Sequence, residues 1–161
     1  MAPYAVIMNG YTASLKTYTA RRIANVLKIP LIETNRFGRC TKEGVLNYAM
    51  RDKRYKIVTQ LASFISENKL PMVIDGTFNF QRWRTALYPK LANHDVIIVR
   101  CVCNDKAIIK ARISEREANK ILPENEASSI FNYLKTRKDD ESVYEDVLSS
   151  GETPTIIEFD T

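Results

Sequence analysis

Within its first 27 residues the chain carries an apolar run, a turn of small and polar residues, and a Lys-Thr pair heading an amphipathic stretch. The run is Ala5-Val6-Ile7-Met8, and the turn is Gly10-Tyr11-Thr12-Ala13-Ser14-Leu15. Lys16-Thr17 then leads into Ala20, Ile23, Ala24 and Leu27 at helical spacing. The first turn of a helix has unpaired N–H groups and a partial positive charge, so a strand, tight loop and helix in this order make a phosphate-binding loop. Lys16 would reach the terminal phosphates and the Thr17 hydroxyl would take a magnesium ion. The expected nucleotide contacts run through Gly10, Tyr11, Thr12, Ala13, Ser14, Leu15, Lys16, Thr17 and Tyr18. Leu15 stands where the pattern G-x-x-x-x-G-K-[ST] has glycine. If that backbone is left-handed, leucine costs roughly 1 kcal/mol or a little more, which a domain stable by about 5–15 kcal/mol tolerates. The plainer alternative is an ordinary strand–turn–helix with a surface lysine.

The rest of the chain alternates in the same way. Pro30–Glu33 reads as a short extended piece, Pro71–Asp75 as a strand and Asp95–Cys103 as a buried central strand. Thr155–Phe159 reads as a last strand. Between them, residues 41–68 hold two helical stretches, the second with Ile57, Val58, Leu61, Ala62 and Ile65 on one face. Gln81–Ala92 is helical with Pro89 as a break, Asp105–Ile121 is a helix ended by Pro123, and residues 126–149 are helical and polar. Strands alternating with helices imply a parallel sheet covered on both faces, with ligands beyond the carboxyl ends of the strands.

At 161 residues, with no linker or repeat, a single domain over 1–161 is expected. The net charge of +5 favours anionic ligands without choosing between nucleotides and nucleic acid. No apolar run approaches a membrane span. No basic region precedes the first apolar run, so no signal peptide is expected and a cytoplasmic protein is. Three cysteines, Cys40, Cys101 and Cys103, argue against a disulfide framework, and a single histidine, His94, argues against zinc or histidine-dependent nucleophilic chemistry. Cys101 and Cys103 read as small core residues, and turn chemistry accounts for His94.

Four further places could carry chemistry. Asp75 ends Met72-Val73-Ile74-Asp75 before Gly76-Thr77, where a carboxylate suits magnesium or a substrate; the alternative is a turn-forming Asp-Gly. Arg112 and Arg116, four apart, share a helix face and could stabilise a transferring phosphoryl group, or could be solvated beside Glu115 and Glu117. In Glu33-Thr34-Asn35-Arg36 the carboxylate could take a proton from an attacking hydroxyl and Arg36 could hold a substrate anion; the alternative is a surface salt bridge. Arg51, Lys53, Arg54 and Lys56 read as a basic surface or, more commonly, the wet side of a helix.

Together these features resemble the small P-loop kinase-like ATPases: the AAA-type group of zeta toxin, adenylylsulfate kinase, chloramphenicol phosphotransferase and the polynucleotide kinase 5′-domain. The resemblance rests on Gly10–Thr17, on Ile29-Pro30-Leu31-Ile32 ahead of Arg36, on Val73-Ile74-Asp75-Gly76-Thr77, and on the long strand before Arg112-x-x-x-Arg116. It implies an α/β P-loop NTPase three-layer sandwich, with about five parallel strands and a helical lid near residues 106–125. It implies ATP and Mg2+ as cofactors, and transfer of the γ-phosphate to a hydroxyl of a small molecule or nucleotide. Lys16 would contact the β and γ phosphates, Thr17 and Asp75 would serve the metal, and Arg112 and Arg116 would be lid arginines. Glu152 to Thr155 would lie by the adenine. Asn35 stands where the group has a general-base aspartate, leaving Glu33 as the nearest carboxylate. The alternatives are a degenerate nucleotide-binding module and a polynucleotide 5′-hydroxyl kinase; net charge alone speaks for nucleic acid.

Overall fold

Tyr4–Gly10 forms strand β1 because Ala5–Met8 are apolar on both faces; every residue from Ala5 to Gly10 is buried. In this computed structural model, which describes residues 2–38, 41–42, 45–46, 48–119 and 154–161, β1 is the centre of a five-stranded sheet. Its partners are β2 (Leu31–Glu33), β5 (Met72–Asp75), β6 (Asp95–Val102) and β7 (Thr155–Asp160), in the order β2-β5-β1-β6-β7. All four pairings are parallel.

Parallel neighbours need crossovers, and the helices supply them. Helix α1 (Lys16–Leu27) packs Ala20 and Ala24 against Val6, Met8 and Val73 on one face. Helices α2 (Tyr48–Glu67) and α3 (Gln81–Leu87) pack Val58, Ala62, Trp83 and Leu87 against Ala5, Ile7 and Ile74 on the other. Helix α4 (Lys106–Ala118) follows β6 and buries Ile113 completely. The expected three-layer parallel architecture is therefore present, and β1, α1 and the strand ends bring the loop 10–17 to the carboxyl edge of the sheet.

Several expectations change. Residues 41–46 contain a two-stranded hairpin, β3 (Thr41–Lys42) with β4 (Val45–Leu46), in place of a first helical stretch. The helix after Phe80 stops at Leu87 and continues as a 3-10 turn over Tyr88–Leu91, with Pro89 at its start. Proline lacks the N–H that an α-helix would need there. Helix α4 begins one residue later than read, because the Asp105 carboxylate accepts the N–H groups of Ala107 (2.7 Å) and Ile108 (3.3 Å) as its cap. His94 closes a turn, its N–H donating to the Leu91 carbonyl at 2.8 Å, but that turn does not account for its side chain. It is buried and bridges elements: Nδ1 accepts from the Ser66 hydroxyl at 3.2 Å and Nε2 donates to the Leu70 carbonyl at 3.0 Å. Cys101 is core, but Cys103 lies past the end of β6 and is half-exposed. The polar helix at 126–149, lid residues 120–125 and Glu152 lie outside the described residues. No helix among those described is long and apolar enough to cross a membrane.

Candidate functional site

Beyond β1 the backbone turns sharply. Gly10 has φ +131°, and a Cβ there would lie 2.1 Å from the Cys101 carbonyl oxygen of the paired strand, so only glycine fits. Ala13 (φ 64°) and Leu15 (φ 53°) are both left-handed, at a cost of about 1–2 kcal/mol each. Leu15 thus occupies the conformation for which glycine is suited. It is also the N-cap of α1 and offers no side-chain cap. The first N–H groups of α1, from Lys16 to Tyr18, have no intrahelical partners. The strain and the open donors coincide, as strained backbone often does at a functional segment.

Donors inside the loop converge. Lys16 Nζ donates to the Tyr11 carbonyl and to Ser14 Oγ (3.4 Å). Ser14 donates to the same Tyr11 carbonyl from its hydroxyl (2.7 Å) and its N–H (3.4 Å). Lys16 is buried, and that burial lowers its pKa to about 8; Asp75 pulls the other way and Arg116 adds repulsion. Tyr18 is exposed at 57% and stands apart from this cluster.

Beside the lysine, the Thr17 hydroxyl donates to Asp75 Oδ2 at 2.7 Å. Asp75 is buried, and desolvation pushes its carboxyl pKa up against the pull of Thr17 and Lys16. Its Oδ1 is buried with no partner. A hydroxyl and a carboxylate side by side, with one oxygen unspent, fit a magnesium ion, which is commonly held by one or two carboxylates together with substrate phosphates. Among the described residues no cluster of three His, Cys, Asp or Glu offers an all-protein metal cage.

Glu33 ends β2 in register with Asp75. Both of its oxygens accept from Arg21 at 2.9 Å, and Arg36 lies 3.4 Å away. The Arg21 hydrogen bonds, more than any other influence, hold the Glu33 pKa below the ordinary glutamate value. That is the salt bridge among the two sequence alternatives, and a carboxylate held this way is a poor proton acceptor. Glu33, Arg36, Phe37, Leu61 and Ile65 are among the residues lining an open cavity of about 330 Å³ between β2 and α2.

Arg112 Nη1 donates to the Ala13 carbonyl at 2.9 Å and to Thr161 Oγ1 at 3.3 Å. Arg116 is half-buried; desolvation first, then repulsion from Arg112, lowers its pKa. The two arginines therefore stand at the loop on α4 rather than among solvated surface charges.

A polar network behind Asp75 was missed by the sequence reading. The Tyr55 hydroxyl accepts the N–H groups of Thr77 (3.0 Å) and Phe78 (3.1 Å), and it pairs with Thr77 Oγ1 (2.9 Å). Arg51 donates to Thr77 Oγ1 (3.1 Å) and Asn79 Oδ1 (3.2 Å). Arg54 donates to Asn35 Oδ1 (3.2 Å) and to the Gly38 carbonyl. The basic run on α2 divides: Lys53 and Lys56 are exposed, whereas Arg51 and Arg54 turn towards the strand ends. Their three-residue spacing puts them on one helix face, but Lys53 and Lys56 share that spacing, so the sequence held no signal that tells the two pairs apart.

A family model described as an AAA domain matches residues 6–137. Among solved structures, one named as a candidate kinase from Chloroflexus aurantiacus is 17% identical with a TM-score of 0.72, covering 99% of this chain and 85% of that one. A sugar kinase from Janibacter sp. HTCC2649 is 16% identical, TM-score 0.68, covering 98% and 85%. The Mycobacterium tuberculosis APS kinase in complex with AMPPNP and APS is 13% identical, TM-score 0.58, covering 99% and 88%. At these identities the likeness is one of fold. Among curated proteins, nothing matches the sequence.

Proposed function

The chain belongs to the AAA domain family, and from that premise we propose that it is a kinase that moves the γ-phosphate of ATP to a hydroxyl of a small molecule or nucleotide. The observation that carries this reading is the convergence of the Lys16 and Ser14 donors on the Tyr11 carbonyl at the head of α1, beside the Thr17–Asp75 pair. In this reading phosphate oxygens replace the Tyr11 carbonyl as the common acceptor. Lys16, whose charge burial disfavours, regains full protonation against the polyphosphate. Thr17 and Asp75 would hold a magnesium ion, which would neutralise charge on the β and γ oxygens.

Arg116 is the arginine we assign to charge developing on the transferred group, because it stands close enough to Lys16 to depress the lysine pKa. Phosphoryl transfer asks more for positioning than for a strong base. Glu33, tied to Arg21, is accordingly assigned to placing Arg36 and the acceptor rather than to abstracting a proton. Arg54 is half-buried and, among the described residues, its partners are a neutral amide and a carbonyl. An uncompensated cation at this edge supports an acceptor that itself carries negative charge.

A second reading, a module that binds nucleotide without transferring phosphate, is favoured by the strained Leu15 and by the engaged Glu33 carboxylate. Phosphate release from Mg-ATP separates the two. The kinase reading expects slow release that falls by about 100-fold or more in Lys16→Ala, the scale of losing one charge-stabilising donor. Equal rates in both proteins would leave only the binding module.

A further inference from the structure

As a lid residue Arg112 would touch the transferred phosphate, but its partners are elsewhere. Its Nη1 donates to the Ala13 carbonyl at 2.9 Å and to the Thr161 hydroxyl at 3.3 Å. Thr161 is itself fixed: its hydroxyl and its N–H both donate to the Val102 carbonyl at the end of β6, each at 2.9 Å. The next residue along α4, Ile113, is fully buried and anchors that turn of helix. Arg112 therefore spans from the sheet edge to the loop, and neither partner is a carboxylate.

A trans peptide is planar, with its C=O and N–H pointing in opposite directions. Holding the Ala13 carbonyl towards Arg112 turns the Ser14 N–H the other way, into the loop interior, where it meets the Tyr11 carbonyl at 3.4 Å alongside Lys16. Ala13 is left-handed at φ 64°, a conformation an alanine does not hold unaided. We propose that Arg112 is a positioning residue: it pins the Ala13–Ser14 peptide so that the Ser14 N–H faces the phosphates, and it does not itself contact the nucleotide. The division of labour leaves Arg116 as the α4 arginine available to the transferred group. This inference rests on the reading of residues 10–17 as a nucleotide loop.

ADP and AMPPNP separate pinning from contact, because only AMPPNP carries a γ-phosphate. With magnesium present, Arg112→Ala is expected to weaken both by the same factor, about tenfold, the size of one hydrogen bond from a charged donor. Arg116→Ala should weaken AMPPNP more than ADP. Thr161→Val, which removes only the brace, should lower both affinities by a smaller common factor, and Arg112→Lys should recover part of the loss. In turnover, Arg112→Ala should raise KM for ATP and leave kcat within about threefold. If Arg112→Ala melts far below the wild type, Thr161→Val and Arg112→Lys decide the matter. A loss confined to AMPPNP, or no loss for either nucleotide, would overturn the pinning role. If the wild-type protein binds neither nucleotide, the loop reading itself falls, a result distinct from failure of the pin.

Discussion

Leu15 shows how a single position can be read from sequence and still be surprising. The missing glycine raised the case of a left-handed residue, and the backbone has φ 53° there. The pattern offered no hint that Ala13 would be left-handed as well, since no glycine is expected at that point. Leu15→Gly removes about 1–2 kcal/mol of strain but loosens the unfolded chain by about 0.5–1 kcal/mol. Thermal unfolding should therefore move upwards by no more than about 3–6 °C, and nucleotide affinity should hold or improve. A clear fall in affinity would mean that the loop depends on the leucine side chain. Lys16 gives a pH prediction. Its pKa is about 8 in the folded chain, against an ordinary 10.5. Below pH 8 both folded and unfolded chains carry the charge and its burial penalty is complete. As pH rises from about 8 to 10.5 the folded lysine deprotonates first, so this group's contribution to stability increases across that window. A polyphosphate favours the charged form, so nucleotide binding at pH 8–9 should take up protons. Calorimetry in buffers of different ionisation enthalpy should detect that uptake and find it absent in Lys16→Ala.

Elements with a strong period were legible and short ones were not. β1, β5 and β6 appeared as apolar runs, and α1 was read with its observed ends, Lys16 and Leu27. The hairpin at Thr41–Leu46 has two-residue strands, too short for any alternation to show. Helix α2 illustrates a different limit. Periodicity located its apolar face, but nothing in the run Arg51–Lys56 says that the arginines turn in while the lysines turn out. That depends on partners such as Asn79 and Asn35, which are distant in the chain. Tyr55 belongs to the same helix and stacks on Trp83 at 3.9 Å between ring centres. Its hydroxyl is the acceptor for two N–H groups on the Asp75 loop. Tyr55→Phe preserves the ring packing and strands these donors. A loss of about 1–3 kcal/mol is expected in denaturant unfolding, with weaker nucleotide binding if the same loop orders Asp75. Unchanged stability would show that other groups satisfy the two donors.

At the scale of the whole molecule, alternating strands and helices were enough to give a parallel sheet with cover on both faces, and the observed order β2-β5-β1-β6-β7 puts β1 at its centre. That order brings Gly10, Glu33 and Asp75 to one edge from three separate parts of the sequence, and α4 adds Arg112 and Arg116. The contribution of each residue was less legible than its location. Glu33 and Arg112 were picked out as chemical groups, yet Glu33 is engaged by Arg21 and Arg112 by backbone, partners set by tertiary packing. The central claim is that a loop with two strained non-glycine residues presents its donors to a polyphosphate. Calorimetric titration of Mg-AMPPNP into the wild-type protein and Lys16→Ala tests it most directly. Saturable binding to a single site per chain is expected, weakened about tenfold or more by loss of the lysine charge. No binding to the wild-type protein, or equal affinity in the two, would contradict it.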